Sequence, residues 1–173
     1  MAHSIRTLTA VLAFALLPVA TPLVAQDISF NERLTKECYS QSDISEASPT
    51  RESCIGRSAK ACMGASGAEG HARNELCLQA EYDLWDQMSS GAYFMLEARL
   101  EEIDSNSHEG TPSQVILLEN MQRAWINLRN TRCTFMQTRW RPGSDARSYE
   151  IDCLTRATAE HFFFLEDEMA GGR

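Results

Sequence analysis

Six cysteines constrain the fold of this 173-residue chain more than any other feature of its sequence. An even number of cysteines in a chain of this size is typical of the disulfide set of an exported protein. No Cys-x-x-Cys pair occurs and the four histidines are scattered, so no metal site is predicted. We therefore predict disulfides among the residues Cys38, Cys54, Cys62, Cys77, Cys133 and Cys153.

The N-terminal residues have the composition of a secretory signal. A basic residue, Arg6, precedes the apolar run LTAVLAFALLPVA, and the small residue Ala25 follows shortly after it. We predict a signal peptide over residues 1–25, cleaved after Ala25, with an uncleaved anchor as the alternative. No cysteine follows the cut, so no lipoprotein attachment is expected, and the run is too short for a membrane span. The mature chain is expected to be periplasmic or secreted, without membrane insertion.

The periodicity of the remaining chain is helical. Sustained period-two alternation is absent, whereas apolar residues recur every three or four positions. The predicted fold class is all-α: a disulfide-stapled helical bundle built on a long antiparallel helix hairpin, plus a C-terminal helix and a short N-terminal helical hairpin. The predicted units are the N-terminal hairpin, 26–70, and a helical domain, 71–173. The predicted helices cover about 27–41, Thr50 to Met63, 72–105, Pro112 to the RPGSDARS segment, and 148–168.

Each of the three long helices has a predicted buried stripe. In the third helix the stripe is Trp85, Met88, Ala92, Leu96, Leu100 and Ile103. In the fourth it is Val115, Leu118, Met121, Trp125, Leu128 and either Phe135 or Met136. In the fifth it is Ile151, Leu154, Phe162 and Leu165. One helical face cannot bury three consecutive phenylalanines, so at least one of Phe162, Phe163 and Phe164 should face a neighbour, most simply the N-terminal hairpin, or solvent. Trp85, Trp125 and Trp140 are expected in or beside the core.

The predicted helices narrow the possible cysteine pairings. In antiparallel neighbours, the end of one helix lies beside the start of the next, which favours the sequential pairs 38–54, 62–77 and 133–153. Each crosslink should then contribute about 3 kcal/mol by the chain-entropy estimate. The main alternative joins Cys38 to Cys62 or Cys54 to Cys77.

Charge and motifs exclude several classes of protein. The chain has 24 acidic against 16 basic residues and a net charge of −8, and loss of Arg6 with the signal makes it more acidic. This charge argues against a nucleic-acid partner and favours a cationic partner or simple solubility. No GxSxG, HExxH, P-loop or glycine-rich dinucleotide turn occurs. We therefore predict no catalytic residue and no cofactor, with a carboxylate-based, glycan-active hydrolase as the enzymatic alternative.

Three segments carry a resemblance to a known family. CLQAEYDLWDQMSSGAYFML, LLENMQRAWINLRNTRC and CLTRATAEHFFFL resemble the lysozyme inhibitor LprI-like N-terminal domain family, over roughly residues 54–166. The resemblance rests on a set of residues that we call the family box: Tyr93, Gln122, Arg123, Trp125 and Arg129, with Ala124 inside it. It also rests on Cys77, Cys133, Cys153, Leu154, Thr158 and Leu165. The resemblance implies an exported, disulfide-stapled helical domain of bacterial origin.

The resulting functional hypothesis is a periplasmic binding or inhibitor protein. The partner implied by the family is lysozyme or another cationic protein, and lysozymes of the common type are basic. An envelope structural or scaffolding protein is the alternative, and the sequence does not define the oligomeric state. Two loops, 104–112 and 141–148, are candidate partner-facing segments through Asp104, His108, Glu109 and Asp145.

One arginine in the family box is predicted to have a structural role. Trp125, Arg129 and Cys133 are spaced by four and share one helical face. With a disulfide on the same face, Arg129 must pair with an anion or extend to solvent. An ion pair with Glu81, Asp83 or Asp86 is expected.

Overall fold

The computed structural model describes residues 28–65, 70–139 and 145–171, and in these residues the chain is all-α without a strand. The predicted signal peptide, 1–25, and Trp140 lie outside them. None of the helices in these ranges is long and apolar enough to cross a bilayer. The elements are α1 (Arg33–Ser40), a 3₁₀ turn (Arg51–Cys54), α2 (Arg57–Ala65), α3 (His71–Ser105), α4 (Gln114–Gln137) and α5 (Ala146–Met169).

Two helix boundaries differ from the sequence prediction. The single helix predicted from Thr50 to Met63 is wrong, because the chain turns at Gly56, whose φ of 85° belongs to the left-handed region that favours glycine. Thr50 instead caps the short 3₁₀ turn by accepting a hydrogen bond from the Ser53 amide. Pro112 is not the first helical residue of α4, since the cap is Ser113, whose hydroxyl accepts from the Ile116 amide.

Cross-helix contacts give the directions of the three long helices. Asp104 contacts the start of α4, whereas Asp86, more than four turns earlier in α3, contacts Arg129, so α4 runs antiparallel to α3. Arg147, near the start of α5, contacts Gln79 of α3. The end of α5, at the Met169 carbonyl, contacts Arg99, so α5 runs parallel to α3. Helix α5 packs most extensively on α3 and next on α4, which produces an up-down-up bundle.

The core lies between α3 and α5, with a smaller contribution from α4. Its buried cluster is Trp85, Ala92, Leu96, Leu118, Ala159, Phe162, Phe163 and Leu165. The expectation for the phenylalanine run is confirmed: Phe162 and Phe163 are buried, whereas Phe164 is 41% exposed. Tyr39 of α1 lies 5.0 Å from the Phe162 ring and 5.7 Å from the Phe163 ring, so the N-terminal unit covers this part of the core.

The predicted buried stripe of α4 is only partly correct. Leu118 is buried, but Leu128 is 66% exposed, and Phe135 and Met136, the two alternatives predicted for the end of the stripe, are both exposed. The helix contacts the bundle with the face that carries Leu118, Trp125, Arg129 and Cys133, and Leu128 and Phe135 are rotated away from it. Ile103, predicted to be buried at the end of α3, is also exposed at the end of the bundle.

A buried carboxylate fastens the N-terminal unit to the long helices. Glu81 of α3 is fully buried. Its Oε1 accepts hydrogen bonds from the Thr35 hydroxyl, the Gly56 amide and the Trp85 indole at 2.9, 3.1 and 3.0 Å, and its Oε2 accepts from the Ala59 amide at 2.8 Å. Because these donors belong to α1, the turn before α2, α2 and α3, this one side chain connects four parts of the fold.

The three disulfides join consecutive elements. Cys38 is bonded to Cys54, Cys62 to Cys77 and Cys133 to Cys153, with Cα–Cα distances of 5.6, 5.8 and 5.5 Å. These are the sequential pairs that the predicted helices favour. The 62–77 bond crosses the predicted boundary between residues 26–70 and 71–173, and that division stays a prediction.

Candidate functional site

Arg129 organises a cluster of polar and aromatic side chains between α3, α4 and α5. Its Nη1 donates to the Thr158 hydroxyl at 3.0 Å and to Asp86 Oδ1 at 3.4 Å. The guanidinium carbon lies 4.7 Å from the centre of the Trp125 ring and 5.8 Å from that of Tyr82, within cation–π range. The Arg129 side chain is only 10% exposed, and Asp86 is its carboxylate partner among the three that the sequence offered.

His161 lies beside Arg129 and is held in a neutral form. Its ring stacks on Trp125 with centroids 3.8 Å apart and planes 12° from parallel. Its Nε2 lies 2.6 Å from Gln122 Oε1, and since an amide oxygen only accepts, Nε2 carries the proton and donates. Burial, together with the positive charge of Arg129, lowers the pKa of His161 from 6.5 to about 4. At neutral pH the imidazole is therefore uncharged and fixed in one tautomer.

The inner cluster is defined as Arg129, Tyr82, Asp86, Trp125, Thr158 and His161. Gln122 links the inner cluster to an open cleft between α3 and α4. The cleft has a volume of about 240 Å³ and is lined by Ser90, Tyr93, Phe94, Glu119, Gln122 and Arg123. We call it the box cleft, because Tyr93, Gln122 and Arg123 belong to the family box. Trp125 and Arg129, the other two box residues, pack behind it in the inner cluster. The five residues of the box therefore form one continuous arrangement across two helices.

Hydrogen bonds fix the polar groups of the box cleft. The Tyr93 hydroxyl donates to Glu97 at 2.9 Å, and burial together with this carboxylate raises the pKa of Tyr93 to about 12. Tyr93 is therefore a neutral phenol at physiological pH. Arg123 donates to Asn120 at 2.7 Å and forms an i,i+4 ion pair with Glu119 at 3.4 Å. Phe94, 64% exposed, supplies the aromatic rim.

These groups are suited to binding a surface. The lining offers an exposed aromatic ring, an amide, two hydroxyls and one ion pair, the types of groups that recur at protein interfaces. His161, behind the cleft, is 6% exposed and its Nε2 is hydrogen-bonded to Gln122. The only carboxylate among the lining residues, Glu119, is paired with Arg123. The cleft therefore presents hydrogen-bonding groups and an aromatic ring that a partner surface could contact.

The structure separates the predicted loop residues from the box cleft. Asp104 accepts hydrogen bonds from the Ser113 hydroxyl and from the amides of Gln114 and Val115 at 2.7–3.1 Å, which lowers its pKa. Its carboxylate therefore caps α4. His108 and Glu109 are exposed in the α3–α4 connection, and Asp145 is exposed at the start of α5. Residues 141–144 of the second predicted loop, 141–148, lie outside the described residues.

Four residues of this region are not predicted as site residues from the sequence. Ser90, Phe94 and Glu119 line the cleft, and His161 lies behind it. Phe94 adjoins Tyr93, and Glu119 lies one helical turn before Arg123, so proximity in sequence was the available signal. The side of each helix that lines a cleft depends on tertiary packing, which the local sequence does not specify.

The fold and the site define a disulfide-bonded, three-helix bundle domain with a polar and aromatic cleft between two of its helices. A family model described as lysozyme inhibitor LprI matches residues 62–165, more than half of the chain, and the chain belongs to this family. The match includes every residue of the box cleft and of the inner cluster. At the level of the family, the function is of the lysozyme-inhibitor type and not enzymatic.

The chain is also similar to an individual protein, over most of the length of both. The chain is 28% identical over 142 residues to the "Uncharacterized 17.7 kDa protein in puhA 5'region" of Rhodobacter capsulatus, covering 79% of this chain and 85% of the relative. No solved structure matches the chain. The three disulfides are typical of an oxidising, extracytoplasmic compartment.

Proposed function

We propose that this protein is an exported inhibitor that binds a lysozyme, or a similarly cationic protein, through the box cleft. The observation that carries the proposal is that three of the five residues of the family box line one open cleft. The other two hold the helix that forms one wall. A cleft built from the residues on which the resemblance rests is the best candidate for the contact surface of this chain.

Electrostatics supports a basic partner. The net charge of −8 attracts a cationic protein and raises its association rate. Long-range attraction of this kind is screened within about 10 Å at moderate salt, so it cannot by itself maintain a complex. The short-range part of the affinity would come from Phe94, Tyr93 and Gln122 at the cleft. Exposed aromatic residues of this type are enriched among the side chains that dominate interface energies.

Rigidity of the cleft also favours binding. Gln122 is held by His161, and Tyr93 is held by Glu97. The wall that carries Gln122 is fixed further along α4 by Arg129 and by the 133–153 disulfide. Because these side chains are already ordered in the free protein, little conformational entropy would be lost on binding.

The experiment is a lysozyme lysis assay with point variants. Phe94→Ala should raise the inhibitor concentration needed for half-inhibition by about tenfold, or about 1.4 kcal/mol, the effect of an interface residue whose truncation costs more than about 1 kcal/mol. Met95→Ala is the matched control, since Met95 is the next residue, is 65% exposed and does not line the cleft. Loss of inhibition in a His108→Ala/Glu109→Ala double variant, with Phe94→Ala fully active, would move the contact to the α3–α4 loop and contradict the proposal.

A further inference from the structure

The charged groups at the box cleft favour a positive charge inside it. Glu119 lines the cleft, and Glu97 lies beside it as the acceptor of the Tyr93 hydroxyl. Burial raises the pKa of Tyr93 most, and both carboxylates raise it further, so both lie close to this phenol. Arg123 is the only cation among the lining residues. Two carboxylates against one guanidinium leave the cleft negative, in a chain whose net charge is −8.

An exposed aromatic ring adjoins these charges. Phe94 lines the cleft, is 64% exposed, and lies edge-on to Tyr93 with ring centroids 5.7 Å apart. The face of such a ring attracts a cation within about 6 Å of its centre. Behind the cleft, the Arg129 guanidinium already satisfies the ring of Trp125 in this way, whereas in the described part of the chain no cation–π contact involves Phe94. The Phe94 ring is therefore available to a cation from outside the chain.

The cation that belongs to the cleft is loosely held. Nη1 of Arg123 lies 3.4 Å from Glu119 Oε2, and the two side chains are 64% and 42% exposed. Exposed ion pairs of this kind contribute little to stability, because water and salt screen them. The shorter contact of this guanidinium, at 2.7 Å, is to Asn120. Arg123 can therefore leave Glu119 for Asn120 and solvent when a second cation arrives.

We propose that the box cleft receives a cationic side chain of the partner protein, an arginine in preference to a lysine, between Phe94 and Glu119. The guanidinium stacks on the Phe94 ring and takes the place of Arg123 at the carboxylate. Arginine is preferred because its planar group can stack and donate two parallel hydrogen bonds, whereas an ammonium is a compact, strongly hydrated charge. At about 240 Å³ the cleft is smaller than the pockets of about 300–1,000 Å³ that bind whole small molecules, which suits a single side chain. The inference rests on the proposed function only for the protein that supplies the arginine.

Titration with Nα-acetyl-arginine amide tests the cleft without any lysozyme. Nuclear magnetic resonance of the ¹⁵N-labelled, oxidised protein should show shifts of the Gln122 side-chain amide and of the Tyr93 and Phe94 backbone amides. Nα-acetyl-citrulline amide is the matched control, since it has the same shape without the charge, and its shifts should be smaller by about threefold or more. Equal shifts from the two probes, or no shift at the cleft from the arginine probe, would overturn the inference.

Two variants of the ion pair should change the Kd for lysozyme in opposite directions, measured by isothermal titration calorimetry at physiological salt. Glu119→Gln should raise the Kd by about threefold, because it removes the carboxylate that receives the partner's cation. Arg123→Ala should lower the Kd by about twofold, because it removes the competing cation. Glu102→Gln and Arg132→Ala are the matched controls. They make the same changes of charge at exposed residues of α3 and α4 that do not line the cleft, and the Kd should stay near the wild-type value.

The outcomes separate this inference from the proposed function. If the ion pair only maintains the shape of the cleft, Glu119→Gln and Arg123→Ala would both weaken binding. If a carboxylate of the partner enters the cleft, Arg123→Ala would be the more damaging variant, and either result would overturn the inference. A wild type that does not bind lysozyme, with cleft shifts from the arginine probe alone, would contradict the proposed function and support the cation site. Inhibition of lysozyme with equal shifts from both probes would do the reverse.

Discussion

Replacement of Glu81 by glutamine should destabilise the protein far more than the loss of one charge on its surface. Glu81 is fully buried and accepts four hydrogen bonds, three at Oε1 and one at Oε2. In Glu81→Gln the amide oxygen can keep the three donors at Oε1. The amide nitrogen must then face the Ala59 amide, and two donors point at one another.

The magnitude follows from these contacts. One backbone donor and one side-chain donor lose an acceptor, at a cost of about 1–3 kcal/mol each. The three remaining hydrogen bonds change from charge-assisted to neutral and weaken, whereas relief from burying a charge offsets part of the loss. A net loss of about 3 kcal/mol in the free energy of unfolding is expected, which corresponds to a melting temperature lower by about 6–12 °C for a domain of this size.

Urea unfolding followed by far-UV circular dichroism measures this loss. Asp83→Asn is the matched control, because Asp83 is an exposed carboxylate two residues along the same helix whose described hydrogen bond comes from Gln79. The free energy of unfolding of this control should lie within about 0.5 kcal/mol of the wild-type value. An equally small effect of Glu81→Gln would refute the view that this carboxylate holds the N-terminal unit on the bundle.

Two further predictions concern the inner cluster. Arg129→Ala should lower the free energy of unfolding by about 2 kcal/mol. This value is smaller than for a fully buried ion pair, because Asp86 is 48% exposed. An unchanged melting temperature would contradict the prediction. The pKa of His161 is about 4 in the folded protein against about 6.5 unfolded, so the unfolded state binds the proton more strongly and stability is lost as pH falls from 6.5 towards 4. We therefore compare the free energy of unfolding of the wild type with that of His161→Gln at each pH. The difference between the two proteins should shrink by up to about 3 kcal/mol as the pH falls across this range. A difference that does not change with pH would argue against a buried neutral imidazole.

The fold class and the positions of the long helices follow from local sequence. The heptad-like spacing of Trp85, Ala92 and Leu96 predicts the buried side of α3, and these residues are buried. Helix ends are less predictable. Gly56 interrupts a helical pattern that otherwise continues from Thr50 to Met63, and Ser113, not Pro112, caps the start of α4. A left-handed glycine and a capping hydroxyl act through the backbone and leave little trace in hydrophobic periodicity.

The candidate site was predictable only in part. The partner of Arg129 could be narrowed to three carboxylates, but the choice of Asp86 depends on the register of α3 against α4. Glu81, one of those three, instead binds the N-terminal unit, a role that depends on contacts with residues far from it in sequence. Regular spacing of apolar residues predicts burial of Leu128 and of either Phe135 or Met136, and all three are exposed. Periodicity identifies an apolar face but does not say whether this chain or another molecule covers it.

The most direct test of the proposed function is lysis of bacterial cell walls by lysozyme in the presence of the purified, oxidised protein, at low and at physiological salt. We expect inhibition at both, because contacts at the box cleft persist when long-range attraction is screened. Inhibition confined to low salt would mean that the effect comes only from charge attraction between lysozyme and an acidic protein. No inhibition at either salt would contradict the proposed function, while the fold, the disulfides and the inner cluster would stand.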